Sequence, residues 1–231
     1  MRAALRWLAI AAAVVAGLFL AYQGYVALRL WWWVDHNPAS TAFMSARLAA
    51  LRDKKPDAKL KHQWVPYASI SVHLKRAILV AEDDKFADHE GFDWEGIQKA
   101  LEKNEKKGKV VAGGSTISQQ LAKNLFLSGD RSFVRKGQEA IITVMLEGIM
   151  DKRRILEIYL NVIEWGEGVF GAEAASQHYF GTSASRLSAE QSARLAAMVP
   201  RPRFYDRNRN APWLAKKTQI ILERMQRAQL P

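Results

Sequence analysis

The sequence predicts a mainly α-helical protein: one N-terminal transmembrane helix followed by a single helical domain. Three observations carry that expectation. Trp7–Leu28 contains no charged residue; at about 1.5 Å per residue its roughly 22 residues reach about 33 Å, enough to cross a bilayer. Behind it, apolar residues recur at helical spacing in one segment after another, and no convincing alternating run marks a strand. Residues that start and stop helices punctuate those segments at the right offsets.

Arg6 and Arg29 bracket the apolar run, and Trp31, Trp32 and Trp33 follow it as an interfacial aromatic belt would. A cleaved signal peptide would have a shorter apolar region and a small-residue cleavage site. Tyr22, Gln23 and Tyr25 soften the far end but leave the run long enough for a retained anchor. Arg2 and Arg6 argue for a cytoplasmic N-terminus, which puts the rest of the chain on the outer face of the inner membrane. The expected division is an anchor over residues 1–33, a linker and juxtamembrane segment over 34–60 that opens on the turn-rich Asp35–Ser40, and one domain over 61–231.

Within that domain, His73–Ala81 reads as a buried helix that delivers Glu82 at or near its end. Trp94–Lys107 is a second helix with Ile97 and Leu101 on one face, and the lysine-rich Lys103–Lys109 is expected to be a mobile loop. Ser115 or Thr116 caps the next helix, since Thr116 and Gln119 have capping-box spacing. Arg135–Met150 is helical, and Asp151 caps the helix running through Leu160. Ala172–Tyr179 and Ser188–Met198 follow, with Gly181 at a C-terminal cap position and Pro212 in the first turn of the last helix.

The chain has 231 residues, 49% hydrophobic, with a net charge of +11 and no cysteine. The composition supports a real core and an anionic partner, and removes disulfide frameworks and zinc–thiolate sites. Three polar clusters interrupt the apolar pattern: Glu82–Gly91, Gly113–Asn124 and Arg135–Glu139. They supply carboxylates, cations and amides but no metal-ligand set. That inventory suits transfer of a group that carries an anionic leaving group, with a base for the incoming nucleophile and cations for what departs. On the Thr116–Leu127 helix, Thr116, Gln120 and Lys123 share one side and Ile117, Leu121 and Leu125 another. A solvated face is the ordinary reading of the first set; the two glycines before the helix, which permit close approach to its anion-favouring N-terminus, raise the functional one. Arg135 and Glu139, four apart, share a face, but spacing does not say whether they reach Glu82. His89 reads as a hydrogen-bonded structural histidine and Phe86 as a packing residue. The turn at Asn161, Glu164, Trp165 and Gly166 fits either a site or a buried turn.

Glu82-Asp83-x-x-Phe86-x-x-His89-x-Gly91, then Gly114-Ser115-Thr116-Ile117-x-Gln119-Gln120-x-x-Lys123-Asn124, then Arg135-Lys136-x-x-Glu139 resemble the peptidoglycan glycosyltransferase module of class A penicillin-binding proteins, a module that also occurs alone. Ile155–Asn161 and Gly171–Ala175 resemble its later motifs, and the likeness runs in order from about Trp64 to about Arg203. Neither Ser-x-x-Lys nor Lys-Thr-Gly occurs, so the monofunctional form is what the chain is similar to. Departures are mild: Ser118 stands where threonine is common, Ala112 where arginine often precedes the glycines, and Arg201 lies in a tail motif that varies.

The resemblance implies a lysozyme-like, mainly helical fold with a cleft facing the membrane. It implies a glycan polymerase with lipid II as acceptor and a lipid-pyrophosphate-linked glycan as donor. Glu82 then corresponds to the base acting on the acceptor 4-hydroxyl, Lys123 and Arg135 to the residues that hold the donor pyrophosphate, and Glu139 to a second essential carboxylate. Asp83, Phe86, His89, Ser115, Thr116 and Gln120 correspond to substrate-positioning residues. No cofactor is fixed, and a divalent cation, Mg2+ or Mn2+, stays open. The implied partners are lipid II, the lipid-linked glycan, the membrane, and other wall-synthesis and division proteins; nucleic acid is excluded by the lack of any recognised binding motif. Two alternatives stand beside this: a lysozyme-like lytic muramidase, which needs a protonated glutamate, and a non-catalytic scaffold in wall assembly.

Overall fold

The computed structural model describes residues 2–109, 113–127 and 132–231. Helix α1 (Arg2–Asp35) is long and apolar enough to cross a membrane, and its apolar stretch is unburied. Its last third is different. Val26, Leu30 and Trp33, spaced four and three apart on one face, are buried. The Trp33 ring lies 5.5 Å from that of Phe126. Gln23 and Gln138 exchange two amide hydrogen bonds of 3.0 Å. Arg154 Nε donates to Trp33 O at 2.9 Å, and its Nη2 to His36 O and to Asn37 Oδ1, so a cation closes the negative end of α1. The expected belt of three tryptophans is therefore corrected at Trp33: Trp31 and Trp32 are exposed, whereas Trp33 is a core residue.

The stretch 34–60, expected as a linker, contains helix α2 (Ala42–Arg52), capped by Thr41, whose side chain accepts from Met44 N. Strand β1 (Lys61–His62) follows. Helix α3 (Val72–Glu82) starts at Ser71 and buries Leu74, Ala77, Ile78 and Leu79. Helix α4 (Trp94–Lys107) buries none of its residues. It ends at Gly108, whose φ of +60° is the usual C-terminal stop, and its last-turn lysines complement the helix dipole. The loop expected over Lys103–Lys109 is thus helical to Lys107. Lysines that read as solvated loop serve equally as a solvated helix end.

Helices α5 (Ile117–Phe126), α6 (Phe133–Ile149) and α7 (Lys152–Val162) form the centre. Thr116 and Gln119 close the expected capping box on α5, and Asp151 caps α7. Ile117, Leu121, Ile142, Leu146, Ile155 and Tyr159 interlock there, all fully buried. Strands β2 (Glu164–Gly166) and β3 (Val169–Phe170) complete a sheet of order β1-β3-β2, with β1 parallel and β2 antiparallel to β3. At two or three residues each, these strands are too short to show alternation. Buried Asn161 bridges α7 to the chain after β1: Oδ1 accepts from Val65 N at 2.9 Å, and Nδ2 donates to Val65 O at 3.0 Å.

Helices α8 (Ala172–Phe180), α9 (Ala189–Met198), α10 (Pro202–Arg207) and α11 (Pro212–Arg224) finish the domain. Gly181 and Pro212 occupy their expected cap positions. Helix α11 runs along α9, and both pack on α3. Helix α5 packs on α2, α6 and α7, and α6 on α1. The last third of α1 thus buttresses the pair of helices that carries the second and third polar clusters.

Candidate active site

Glu82 is the last residue of α3, at the end of a helix whose preceding turns are buried. It is partly buried, and its Oε2 accepts from Gln120 Nε2 at 3.0 Å. Gln120 Oε1 in turn accepts from the hydroxyl of fully buried Tyr159 at 2.9 Å. This relay through α5 and α7 fixes which way the Glu82 carboxylate points. Burial pushes the Glu82 carboxyl above its usual range and Asp83 adds to the rise, while the Gln120 hydrogen bond and the cations of Lys217 and Lys123 pull it down.

The next four side chains form a frame behind Glu82. Asp83 Oδ2 accepts from Ile117 N at 2.9 Å, at the positive start of α5, and Oδ1 is paired with His89 Nε2 at 2.9 Å. His89 Nδ1 accepts from Gly91 N. Gly91 has a φ of +90°, and a Cβ there would sit 2.7 Å from Thr143 Cγ2, so glycine is required. Its carbonyl accepts from Thr116 Oγ1 at 2.7 Å. Phe86 is buried under the Lys152 ammonium, 4.5 Å from the ring centre. These contacts lock the start of α5 onto the end of α3. Asp83, His89 and Thr116 thus turn their polar atoms inward onto this frame, and Phe86 packs beneath Lys152. Gly114 allows the close approach expected of it, but to the backbone of α4: a Cβ would lie 3.0 Å from Ile97 Cα. Ser115 is exposed and, with Glu82 and Thr116, lines a cleft of about 190 Å³. Ala112, noted as a departure, lies outside the described residues.

Three cations gather around a second carboxylate. Glu139 is buried; its Oε2 accepts from Arg135 Nη1 at 3.0 Å and its Oε1 from Lys136 Nζ. Lys123 stands between this cluster and Glu82. Burial lowers its ammonium pKa, Glu139 and Glu82 raise it, and Arg135 and Lys136 lower it further. Gln120 and Lys123 open onto a cleft of about 770 Å³. The structure therefore brings Glu82, Gln120, Lys123, Arg135 and Glu139 into one electrostatic neighbourhood, which spacing alone could not show. Among the described residues, no three histidine, aspartate or glutamate side chains converge as a metal site.

Sequence reasoning missed three participants. Tyr159 carries the relay to Glu82 but stood within the Ile155–Asn161 motif with no role of its own. Lys136 looked like a neighbour of Arg135. Lys217, on α11, meets Glu82 from the far end of the chain; burial lowers its pKa and Glu82 raises it. Adjacent Lys216 and Lys217 gave no signal that one of them turns inward.

A carboxylate of raised basicity beside a cradle of three cations can deprotonate a nucleophile and compensate a departing anion. Comparison with known proteins places the chain in a family. The Transglycosylase family profile matches residues 49–226. A biosynthetic peptidoglycan transglycosylase of Dechloromonas aromatica is 64% identical over 228 residues, covering 98% of both chains. Another, of Janthinobacterium sp. (strain Marseille), is 61% identical over 231 residues, covering 100% of this chain and 99% of its own. A third, of Herminiimonas arsenicoxydans, is 64% identical over 214 residues and 93% of each chain.

Proposed function

The chain belongs to the transglycosylase family, and on that premise we propose that Glu82 is the base with which this peptidoglycan transglycosylase polymerises glycan strands from lipid II. The observation that carries the reading is Lys123, half-buried and within electrostatic range of both the Glu82 carboxylate and the Glu139 carboxylate that holds Arg135 and Lys136. Glu82 takes the proton from the 4-hydroxyl of the acceptor N-acetylglucosamine. The freed oxygen attacks the anomeric carbon of the donor sugar on the face opposite the leaving group. The new C–O bond forms as the bond to the lipid pyrophosphate breaks, and its electron pair leaves with that phosphate. Inversion converts an α-linked donor into a β-1,4 glycan.

Lys123, Arg135 and Lys136 compensate the charge that develops on the pyrophosphate. Glu139 orients those cations: it is engaged by Arg135 and Lys136 and has little surface of its own to offer a substrate. Arg135 is suited by its planar fork to bridge phosphate oxygens. Asp83, His89 and Thr116 keep α3 and α5 in register so that Glu82 and Lys123 face the same substrate. Helix α1 anchors the enzyme in the membrane that carries its substrate, with the N-terminus cytoplasmic and the domain on the outer face of the inner membrane. Confinement of both to one bilayer raises their effective concentration.

Raised basicity at Glu82 would also serve a muramidase, whose acid must be protonated. The cations Lys217 and Lys123 at Glu82, and the cradle on Glu139, favour the polymerase, since glycoside hydrolysis has no pyrophosphate to neutralise. Detergent-solubilised protein is expected to extend labelled lipid II and to leave isolated cell-wall glycan intact; shortening of the glycan without extension of lipid II would reverse the assignment.

The base must be ionised, so activity falls as pH drops through the Glu82 pKa, above the ordinary glutamate range. Lys217 holds that value down. Lys217→Met is therefore expected to move the acid limb of the kcat/KM profile to higher pH. An unmoved limb would remove Lys217 from the electrostatics of the base.

A further inference from the structure

The large cleft extends well beyond Gln120 and Lys123. Its other wall is built by α2, the chain around Glu164 and α10, and it carries Arg47, Arg201, Arg203 and Arg207. With Lys123, five cations line this cleft against one lining carboxylate, Glu164. The arginines are held in place. Arg47 Nε donates to Glu164 Oε2 at 3.1 Å, and Arg203 Nε approaches the same oxygen at 4.0 Å. Glu164 itself is buried, and its Oε1 finds no partner among the described residues. Burial raises the Glu164 carboxyl, and Arg47 and Arg203 hold it down. The Arg47 guanidinium also stacks on Phe43 at 4.8 Å, and that of Arg201 on Phe204 at 4.3 Å. Stacking and ion pairing fix the planes of the guanidinium forks before any ligand arrives, which lowers the ordering cost of binding.

Burying a carboxylate under two arginines is expensive unless it positions them for something else. Their number also exceeds what one pyrophosphate needs, because Lys123, Arg135 and Lys136 already serve that group in the reading above, on which this inference rests. We propose that the Arg47–Arg201–Arg203–Arg207 wall is a second oxyanion subsite of the cleft, and that its occupants are the carboxylates of the peptide borne by the donor glycan. Pyrophosphate occurs once, at the lipid end of such a strand, whereas the peptide carboxylates recur with its repeat units. A cleft that holds the strand beyond its pyrophosphate therefore meets carboxylates. Glu164 is a positioning residue here: it sets Arg47 and Arg203 and does not touch the glycan.

The test pairs two substrates with two proteins. Lipid II with free peptide carboxylates and lipid II with those carboxylates amidated are polymerised by the wild-type chain and by the double variant Arg201→Gln, Arg203→Gln. Both side chains are exposed, and Glu164 keeps its 3.1 Å bond to Arg47, so the variant is expected to fold, which a thermal melt checks. Two partly exposed charge pairs are worth roughly three- to tenfold in KM. Amidation is expected to raise the wild-type KM by about that factor, and the variant is expected to show a ratio near one between the two substrates. Equal ratios in the two proteins would overturn the proposal. So would a variant whose altered property is inhibition by inorganic pyrophosphate, with the amidation ratio intact, since the wall would then be a second phosphate site. Failure of the wild type to polymerise either substrate would instead overturn the polymerase reading, and Glu82→Gln supplies the blank for both.

Discussion

Glu82→Gln is expected to lower lipid II polymerisation by on the order of 10²–10⁴ while the fold stays as stable as the wild type or becomes more so. The amide keeps the shape and still accepts from Gln120 Nε2, but it cannot take a proton from an acceptor hydroxyl. The stability half of the prediction follows from linkage. The folded-state pKa of Glu82 is raised, so between the unfolded and folded values the native protein binds the proton more tightly. Stability is therefore lost as pH rises through the folded value, because ionisation then occurs in a desolvated site. Glutamine removes that cost at neutral pH. Thermal melts and a polymerisation assay on the same preparation read both halves. Near-normal polymerisation would take Glu82 out of the base role, and a drop in melting temperature alongside lost activity would make it a structural residue.

Much of the fold was legible because cap chemistry is local. Thr116 with Gln119, Asp151, Gly181 and Pro212 each act within a turn of their own helix, and each stands where the sequence put it. The position of Glu82 at the end of α3 was legible because the apolar helix pattern of His73–Ala81 stops at a polar cluster. Helix α2 was not: its apolar residues are spread around the helix instead of gathered on one face, and only Met44 is buried, so no core-facing stripe marked it. In the candidate site, the motif residues of α3, α5 and α6 could be named, but their meeting could not. Lys123 lies within electrostatic range of both Glu82 and Glu139 because α5 packs on α6 while Asp83 and Thr116 hold the start of α5 to the loop after α3. Lys217 and the arginines of α10 arrive through packing of distant elements, for which no local spacing exists. Trp33 failed as an interfacial residue because adjacent residues on a helix point about 100° apart, so one tryptophan of three can enter the core while its neighbours stay outside.

That burial of Trp33 decides what the N-terminal segment does when it is cut. Removal of residues 2–21 takes away exposed, bilayer-directed helix and keeps Gln23, Val26, Leu30 and Trp33 on the domain. This variant is expected to fold cooperatively. It should polymerise nearly as fast as the full chain in detergent micelles and more slowly on substrate embedded in bilayers, because it loses proximity and not chemistry. Removal of residues 2–33 is expected to behave differently. It strips Val26, Leu30 and Trp33 from the face of α5 and α6, and each buried apolar side chain of this size is worth about 1.5–3 kcal/mol. Together, at about 4.5–9 kcal/mol, they match the lower half of the roughly 5–15 kcal/mol by which domains of ordinary size are stable. It also removes the Gln23–Gln138 amide pair and the Trp33 carbonyl that Arg154 Nε caps. The helices left uncovered are those that carry Lys123, Arg135 and Glu139, so loss of stability and loss of donor use should appear together, in micelles as well as bilayers. Equal melting temperatures for the two truncations would show that the last third of α1 rests on the domain without supporting it. An equal loss of activity in micelles and bilayers on removal of 2–21 alone would place part of the substrate channel in the apolar span itself.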